Sequence, residues 1–304
     1  MRTALAGFAA AILLAGTGPA SAQGAGAQDA AFGKTMGVVF MHGRGAPRPE
    51  DPDVISPLTS SMRSYGVTVV APVMPWAGEK GIPNYTGTLD DGLKIVAAEV
   101  EKLRSKGLKK MFVGGMSEGG RAAIAYGGKV GDVDGIIAIA PSPDTEIRFS
   151  ALDHPALKDF MARTPPERRG QMETLVRANL QKLHTARDMV AAGRGKERAT
   201  FSEVNTSHTG VFEFRISVPA EIFLSHIDPD GLGNMRLSAS KFREGLALFV
   251  ALDDIALDRY ASRRAFNAVP KSDRNTIVEL NVSHLAAPRA SRDAVRTWLQ
   301  QFAQ

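Results

Sequence analysis

The chain has no cysteine among its 304 residues. That excludes a disulfide scaffold, a thiol nucleophile, a Cys-ligated zinc, an iron–sulfur cluster and a lipid-anchor cysteine. No apolar run reaches the ~20 residues of a membrane span; the run from Ala4 to Leu14 is well short of it. The charge lacks a strong bias. Lys and Arg number 37 against 32 Asp and Glu, a formal charge of +5, which permits acidic partners without requiring one. There is no recognisable nucleic-acid-binding motif, so no nucleic-acid partner is expected. No repeat appears at solenoid periods.

What is present is an ordinary soluble composition, 44% hydrophobic and 23% charged, long enough for one sizeable core. Arg2, the apolar run, the break at Gly16–Pro19 and Ala20-Ser21-Ala22 together have the form of a secretory signal. Residues 1–22 are therefore expected to be removed between Ala22 and Gln23, leaving a periplasmic or secreted protein with no transmembrane segment. Residues 23–34, rich in Ala, Gly and Gln, form a flexible lead-in. Residues 35–304 make one domain, with an insertion at about 142–240.

Within that domain, short apolar runs alternate with amphipathic stretches. Met36–Met41, Val67–Ala71, Met111–Gly114, Gly135–Ala140, Leu246–Leu252 and Thr276–Leu280 are expected to be strands. Val54–Tyr65, the helical spacing of Leu89, Leu93, Val96, Val100 and Leu103, the small residues Gly119–Gly128, and Ser291–Phe302 are expected to be helices. Runs apolar on both faces predict an α/β fold, a mostly parallel central sheet flanked by helices. The insertion reads as a helical cap. From His154 to Arg198 it holds ten Lys/Arg against five Asp/Glu, interrupted by Pro165-Pro166, and Thr209–Val218 reads as extended.

Gly115-Met116-Ser117-Glu118-Gly119 joins an apolar run to a helix of small residues. A strand-to-helix elbow needs glycines around a nucleophile held at strained backbone angles, so Ser117 is the candidate nucleophile. A serine hydroxyl then needs a base. Of the six His, His154, His184 and His208 lie in the insertion. His226 precedes Asp228-Pro229-Asp230-Gly231 and reads as a turn residue, and His42 ends a strand before Gly43. His284, one short loop beyond the last strand, is the best base. Asp253 and Asp254 follow the preceding strand, and either can orient it; the small-residue turn Ala251-x-x-Asp254 favours Asp254. His42-Gly43-Arg44-Gly45 follows the first strand, so N–H groups at Gly43 or Arg44, with that of Glu118, are candidate oxyanion donors. No Gly-Lys-Ser/Thr follows that turn, which excludes a P-loop.

With these residues in place the chain resembles the α/β-hydrolase superfamily, over roughly residues 36–141 and 242–303. The order Ser117, Asp254, His284 matches that superfamily, and the insertion falls where it often carries a lid. MHGRG at 41–45, APVMPW at 71–76, FLSHIDPDG at 223–231 and VSHLAAPRASRDAVRTWL at 282–299 resemble, more narrowly, bacterial exported hydrolase-like proteins of undefined substrate. The elbow departs from the usual His-Ser-Leu. Its Glu118 sets a carboxylate beside the nucleophile, to discourage anionic substrates or to pair with Arg44 or Arg121.

The expected activity is hydrolysis of a carboxylic ester of a small molecule, with no cofactor and no metal; a thioester or amide is cleaved with the same parts. Trp76 is a candidate for the substrate pocket, with the core or a rim position as the alternatives. Phe212, Phe214 and Phe223 are expected to bury the cap against the sheet. A second class is a non-catalytic binding protein on the same fold, using the basic cap to hold an anionic ligand or surface.

Overall fold

The structure is a computed structural model, and it describes residues 32–207, 210–254 and 256–303. The expected signal, nearly all of the lead-in, His208 and the Phe212 side chain lie outside the described residues.

Six strands form one parallel sheet: β1 (Met36–Met41), β2 (Thr68–Val70), β5 (Lys110–Met116), β6 (Gly135–Ile139), β9 (Gly245–Ala251) and β10 (Thr276–Leu280). A two-residue ribbon, β3 (Gly78–Glu79) with β4 (Ile82–Pro83), interrupts the loop after β2. The sheet order is β10-β9-β6-β5-β1-β2. The chain steps from β1 to β2 on one side, then crosses to β5 on the other. Strand order therefore reverses at the β1–β5 pair, and the loops beyond their carboxyl ends part to leave a crevice.

The two sides of each strand feed separate cores, as the two-residue period of a strand requires. Val38, Phe40, Phe112, Ile137 and Phe249 pack with α1 (Ser56–Ser64) and α11 (Arg292–Gln300). Val39, Met41, Val113, Ile136 and Leu248 pack with α2 (Leu89–Ser105), α3 (Glu118–Lys129) and the cap. Helix α2 begins in a capping box, Thr88 Oγ1 accepting from Asp91 N–H at 3.1 Å while Asp91 accepts from Thr88 N–H.

The insertion between β6 and β9 shares the second core through Val176, Leu183, Phe201, Phe214 and Phe223. It is not purely helical, which corrects the expectation. Helices α4 (Thr145–Arg148), α5 (Pro155–Arg163) and α6 (Pro166–Ala191) lead into an antiparallel hairpin, β7 (Arg198–Ser207) with β8 (Gly210–Pro219). Helices α7 (Ala220–Ile227) and α8 (Met235–Ala239) then return to the sheet. The hairpin forms because Phe214, Ile216 and Val218 alternate with exposed Arg215 and Ser217, a two-residue period. Helix α9 (Ala256–Ala268) lies between β9 and β10, and the single turn α10 (Ala287–Ala290) precedes α11.

At the elbow, β5 and α3 approach too closely for side chains. A Cβ on Gly115 would lie 2.4 Å from the Gly119 carbonyl carbon, and one on Gly119 would lie 2.5 Å from the Met41 carbonyl oxygen. Gly119→Ala is therefore expected to cost about 1–3 kcal/mol and lower Tm by about 2–12 °C. Gly170→Ala in α6, where a Cβ meets nothing within 4 Å, is expected to hold or raise Tm. Thermal unfolding of the two variants checks this contrast.

Candidate active site

Ser117 stands between β5 and α3 with φ 56° and ψ −121°. A non-glycine residue at positive φ stores about 1–3 kcal/mol of strain, which persists only where the surroundings over-determine it. Here its N–H donates to Ile139 O at 3.0 Å, and its carbonyl accepts from Arg121 N–H at 3.0 Å and Ser142 N–H at 3.2 Å. The side chain projects beyond the carboxyl end of the sheet, partly exposed. Among the described residues, Ser117 Oγ makes no hydrogen bond.

Two strands away, the loops after β9 and β10 bring Asp254 and His284 together, His284 Nδ1 lying 2.6 Å from Asp254 Oδ2. Asp253 is exposed, and its amide donates to Val282 O at 3.2 Å. The structure thus pairs His284 with Asp254 rather than with its neighbour. A carboxylate accepts, so Nδ1 carries the proton and Nε2 is left with its lone pair. Burial disfavours the imidazolium. The hydrogen bond and charge of Asp254, with the nearby charge of Asp258, outweigh burial and raise the His284 pKa above its ordinary 6.5.

The loop after β1 lies against the elbow. A Cβ on Gly43 would lie 3.2 Å from Ser117 Cβ and 3.8 Å from its Oγ. Among the described residues, the N–H groups of Gly43, Arg44 and Glu118 have no acceptor, so three donors around Ser117 are unspent. His42 holds this loop. Its buried ring donates from Nδ1 to Gly43 O at 2.8 Å and accepts from Met74 N–H at Nε2 at 3.1 Å. Burial lowers its pKa, which keeps the ring neutral with both nitrogens used; it is not available as a base.

Trp76 is a correction. It is fully buried, its indole N–H donates to His42 O at 3.0 Å, and its carbonyl accepts from Gly45 N–H at 2.9 Å. It braces the 42–45 loop from behind and does not line the cavity beside the elbow.

His226 is also corrected. It lies inside α7, buried, with Nδ1 2.9 Å from Glu118 Oε1 and Nε2 3.2 Å from Gly87 O. Its own carbonyl accepts from Arg121 Nη1 at 2.9 Å, and Arg121 Nη2 donates to Glu118 Oε1. Burial works against the Glu118 carboxylate, yet the charge of Arg121 and the His226 contact hold its pKa down to about 2. Glu118 therefore pairs with Arg121, whereas Arg44 reaches Glu203 of β7 at 3.0 Å. A helical period places His226 with Phe223 and Ile227 on one face, a signal that the following Asp-Pro turn obscures. His154 caps α5, accepting from Ala156 N–H at 3.3 Å, and His184 is exposed. Phe214 and Phe223 are buried in the cap core, and Phe223 also lines the cavity.

A serine at a strand-to-helix elbow, a carboxylate-paired imidazole and unspent amides all stand at the carboxyl ends of strands of one parallel sheet. Solved structures share the fold. A monoacylglycerol lipase of Paleococcus ferrophilus superposes with TM-score 0.55 at 19% identity, covering 87% of this chain and 94% of that one. An esterase of Pyrococcus furiosus gives 0.52 at 15% identity, over 90% and 84%. The esterase domain of a Rhodothermus marinus protein gives 0.52 at 15%, over 89% and 88%. The fold is the α/β-hydrolase fold. No protein-family model and no curated protein matches the chain by sequence. Within the α/β-hydrolase fold, Ser117, Asp254 and His284 follow the strands β5, β9 and β10. Among the described residues no cluster of His, Cys, Asp or Glu has the form of a metal site, and no helix is long and apolar enough to cross a membrane.

Two outcomes follow from this geometry. An NMR titration of the His284 ring is expected to have its midpoint above 6.5, and Asp254→Asn to lower it; a wild-type midpoint at or below 6.5 contradicts the pairing. In stability terms, a raised folded value gives a contribution complete below the unfolded pKa and lost as pH rises through the folded one. Glu118→Gln leaves the Arg121 guanidinium buried without its anion, and is expected to cost about 3–5 kcal/mol in denaturant unfolding.

Proposed function

We propose that this chain is a serine hydrolase that cleaves a carboxylic ester of a small molecule through an acyl-enzyme on Ser117. One observation carries the reading: a serine held at φ 56° beside unspent amides, at the sheet end that also presents the 2.6 Å His284–Asp254 contact.

Ser117 Oγ attacks the ester carbonyl carbon as its proton passes to His284 Nε2. The carbonyl oxygen becomes an oxyanion and accepts from the N–H groups of Gly43, Arg44 and Glu118. One such donor typically stabilises the transition state by about 3–4 kcal/mol. Collapse breaks the bond to the leaving oxygen, which takes the proton from His284. Water then attacks the acyl-enzyme, its proton again taken by His284, and release of the acid restores the Ser117 hydroxyl. Asp254 keeps the proton on Nδ1 and favours the imidazolium between these transfers. Among the described residues Ser117 Oγ makes no hydrogen bond to Nε2, which is compatible with this role, because such contacts tighten when substrate is bound. The esterase and lipase neighbours support an ester as the scissile group, since their shared frame presents the same sheet end.

Short- and medium-chain p-nitrophenyl esters test the reading. Wild type is expected to hydrolyse them, and Ser117→Ala to lose activity by about 10⁴-fold or more. Equal rates in the two proteins contradict Ser117 as nucleophile.

A further inference from the structure

A cavity of about 30 Å³ lies between the elbow and the cap, with room for about two waters. Arg44 and Glu118 line it from the sheet side, Asn179, Lys182 and Glu203 from the cap. Most charges here are spoken for. Glu118 is committed to Arg121 and His226. Arg148, another wall residue, donates from Nε to Asp258 at 2.9 Å.

Arg44 and Lys182 differ. They share one carboxylate, Glu203, with Arg44 Nη1 3.0 Å from Oε2 and Lys182 Nζ 3.2 Å from Oε1. Their side chains are only 17% and 13% exposed. Among the described residues neither has a second anion within ion-pair distance. Asn179 Oδ1 accepts from Lys182 at 3.1 Å but brings no charge. The charge of Glu118 also favours the Arg44 cation, but Glu118 is itself paired with Arg121, so this mostly buried cluster still holds one more cation than anion, a costly arrangement unless a ligand completes it. The spacing of Arg44 and Lys182 already fits the two oxygens of a planar carboxylate, as Glu203 demonstrates.

We propose that this pocket receives only the free carboxylate of a substrate ester, gripped by Arg44 and Lys182, while the ester group lies outside it at Ser117. The proposal rests on the serine-hydrolase reading, which sets the reacting carbonyl over the Gly43 and Arg44 amides. A carboxylate held by the Arg44 side chain then lies next to the residue whose backbone serves the oxyanion. The bound carboxylate gives each cation an anion, whereas a neutral ester leaves the imbalance in place. Glu203 acts as an internal competitor for the same grip.

Two matched pairs test it: p-nitrophenyl hydrogen glutarate against p-nitrophenyl valerate, for a carboxylate on the acyl side, and 4-acetoxybenzoate against 4-acetoxybenzamide, for one on the leaving group. In at least one pair, wild type is expected to favour the carboxylate ester by about tenfold or more in kcat/KM, the scale of one charge-assisted hydrogen bond. Lys182→Met should cut that ratio and Glu203→Gln should raise it. Opposite shifts are not produced by a general loss of fold. Where turnover is slow, fluorophosphonate labelling of Ser117 gives the same comparison, with glutarate expected to protect and glutaramide not. No preference in either pair, or ratios that both variants leave unchanged, overturns the carboxylate site while leaving the hydrolase intact. Absence of both hydrolysis and labelling overturns the hydrolase reading itself.

Discussion

A serine held where L residues rarely settle is the constraint around which the molecule is arranged. Ser117 keeps φ 56° only because three backbone hydrogen bonds fix its peptide groups and because Gly115 and Gly119 let β5, α3 and the end of β1 close around it. The strain of about 1–3 kcal/mol is offset by a sheet whose central strands β1, β5, β6 and β9 are almost wholly buried on both faces. The same close approach brings the Gly43 loop against the serine and leaves its amides unspent. The geometry of the proposed nucleophile and that of the proposed oxyanion donors are thus one packing problem.

The cap is joined to that elbow by charge. Glu118, the residue after the serine, meets Arg121 and His226 of α7, while Arg44, the residue after Gly43, meets Glu203 of the hairpin. Buried ion pairs of this kind contribute little net stability relative to apolar packing, but each is costly to break on one side. Their consequence here is registration. The cap cannot shift over the elbow without exposing or stranding a charge beside Ser117. The cavity between them is small, polar and cation-rich.

Much of this was legible in the sequence. Met36–Met41 and Thr276–Leu280 are strands over the residues their apolar and β-branched runs mark out. The strand-to-helix turn at Ser117 and the parallel sheet follow from periodicity and glycine placement, and His284 stands out by its place one short loop beyond the last apolar run. The choice between Asp253 and Asp254 was not: adjacent residues on a turn point in different directions, and only the folded loop decides which meets His284. Trp76 was ambiguous because an indole suits a pocket wall as well as a core, and its N–H finds His42 O only in three dimensions. His226 was hidden because its partner Glu118 is 108 residues away, a separation no local pattern encodes. The strand β7 was missed because Arg198, Ser202 and Glu203 give it a polar composition, although Phe201 and Glu203 turn inward.

The central claim is that Ser117 is an activated nucleophile, and covalent labelling tests it most directly. Reaction with a fluorophosphonate, followed by intact mass and peptide mapping, is expected to add one phosphonyl group per chain, on Ser117, and none to Ser117→Ala. An unmodified wild type under conditions that label a known serine esterase, or a label on another residue that persists in Ser117→Ala, would contradict the account.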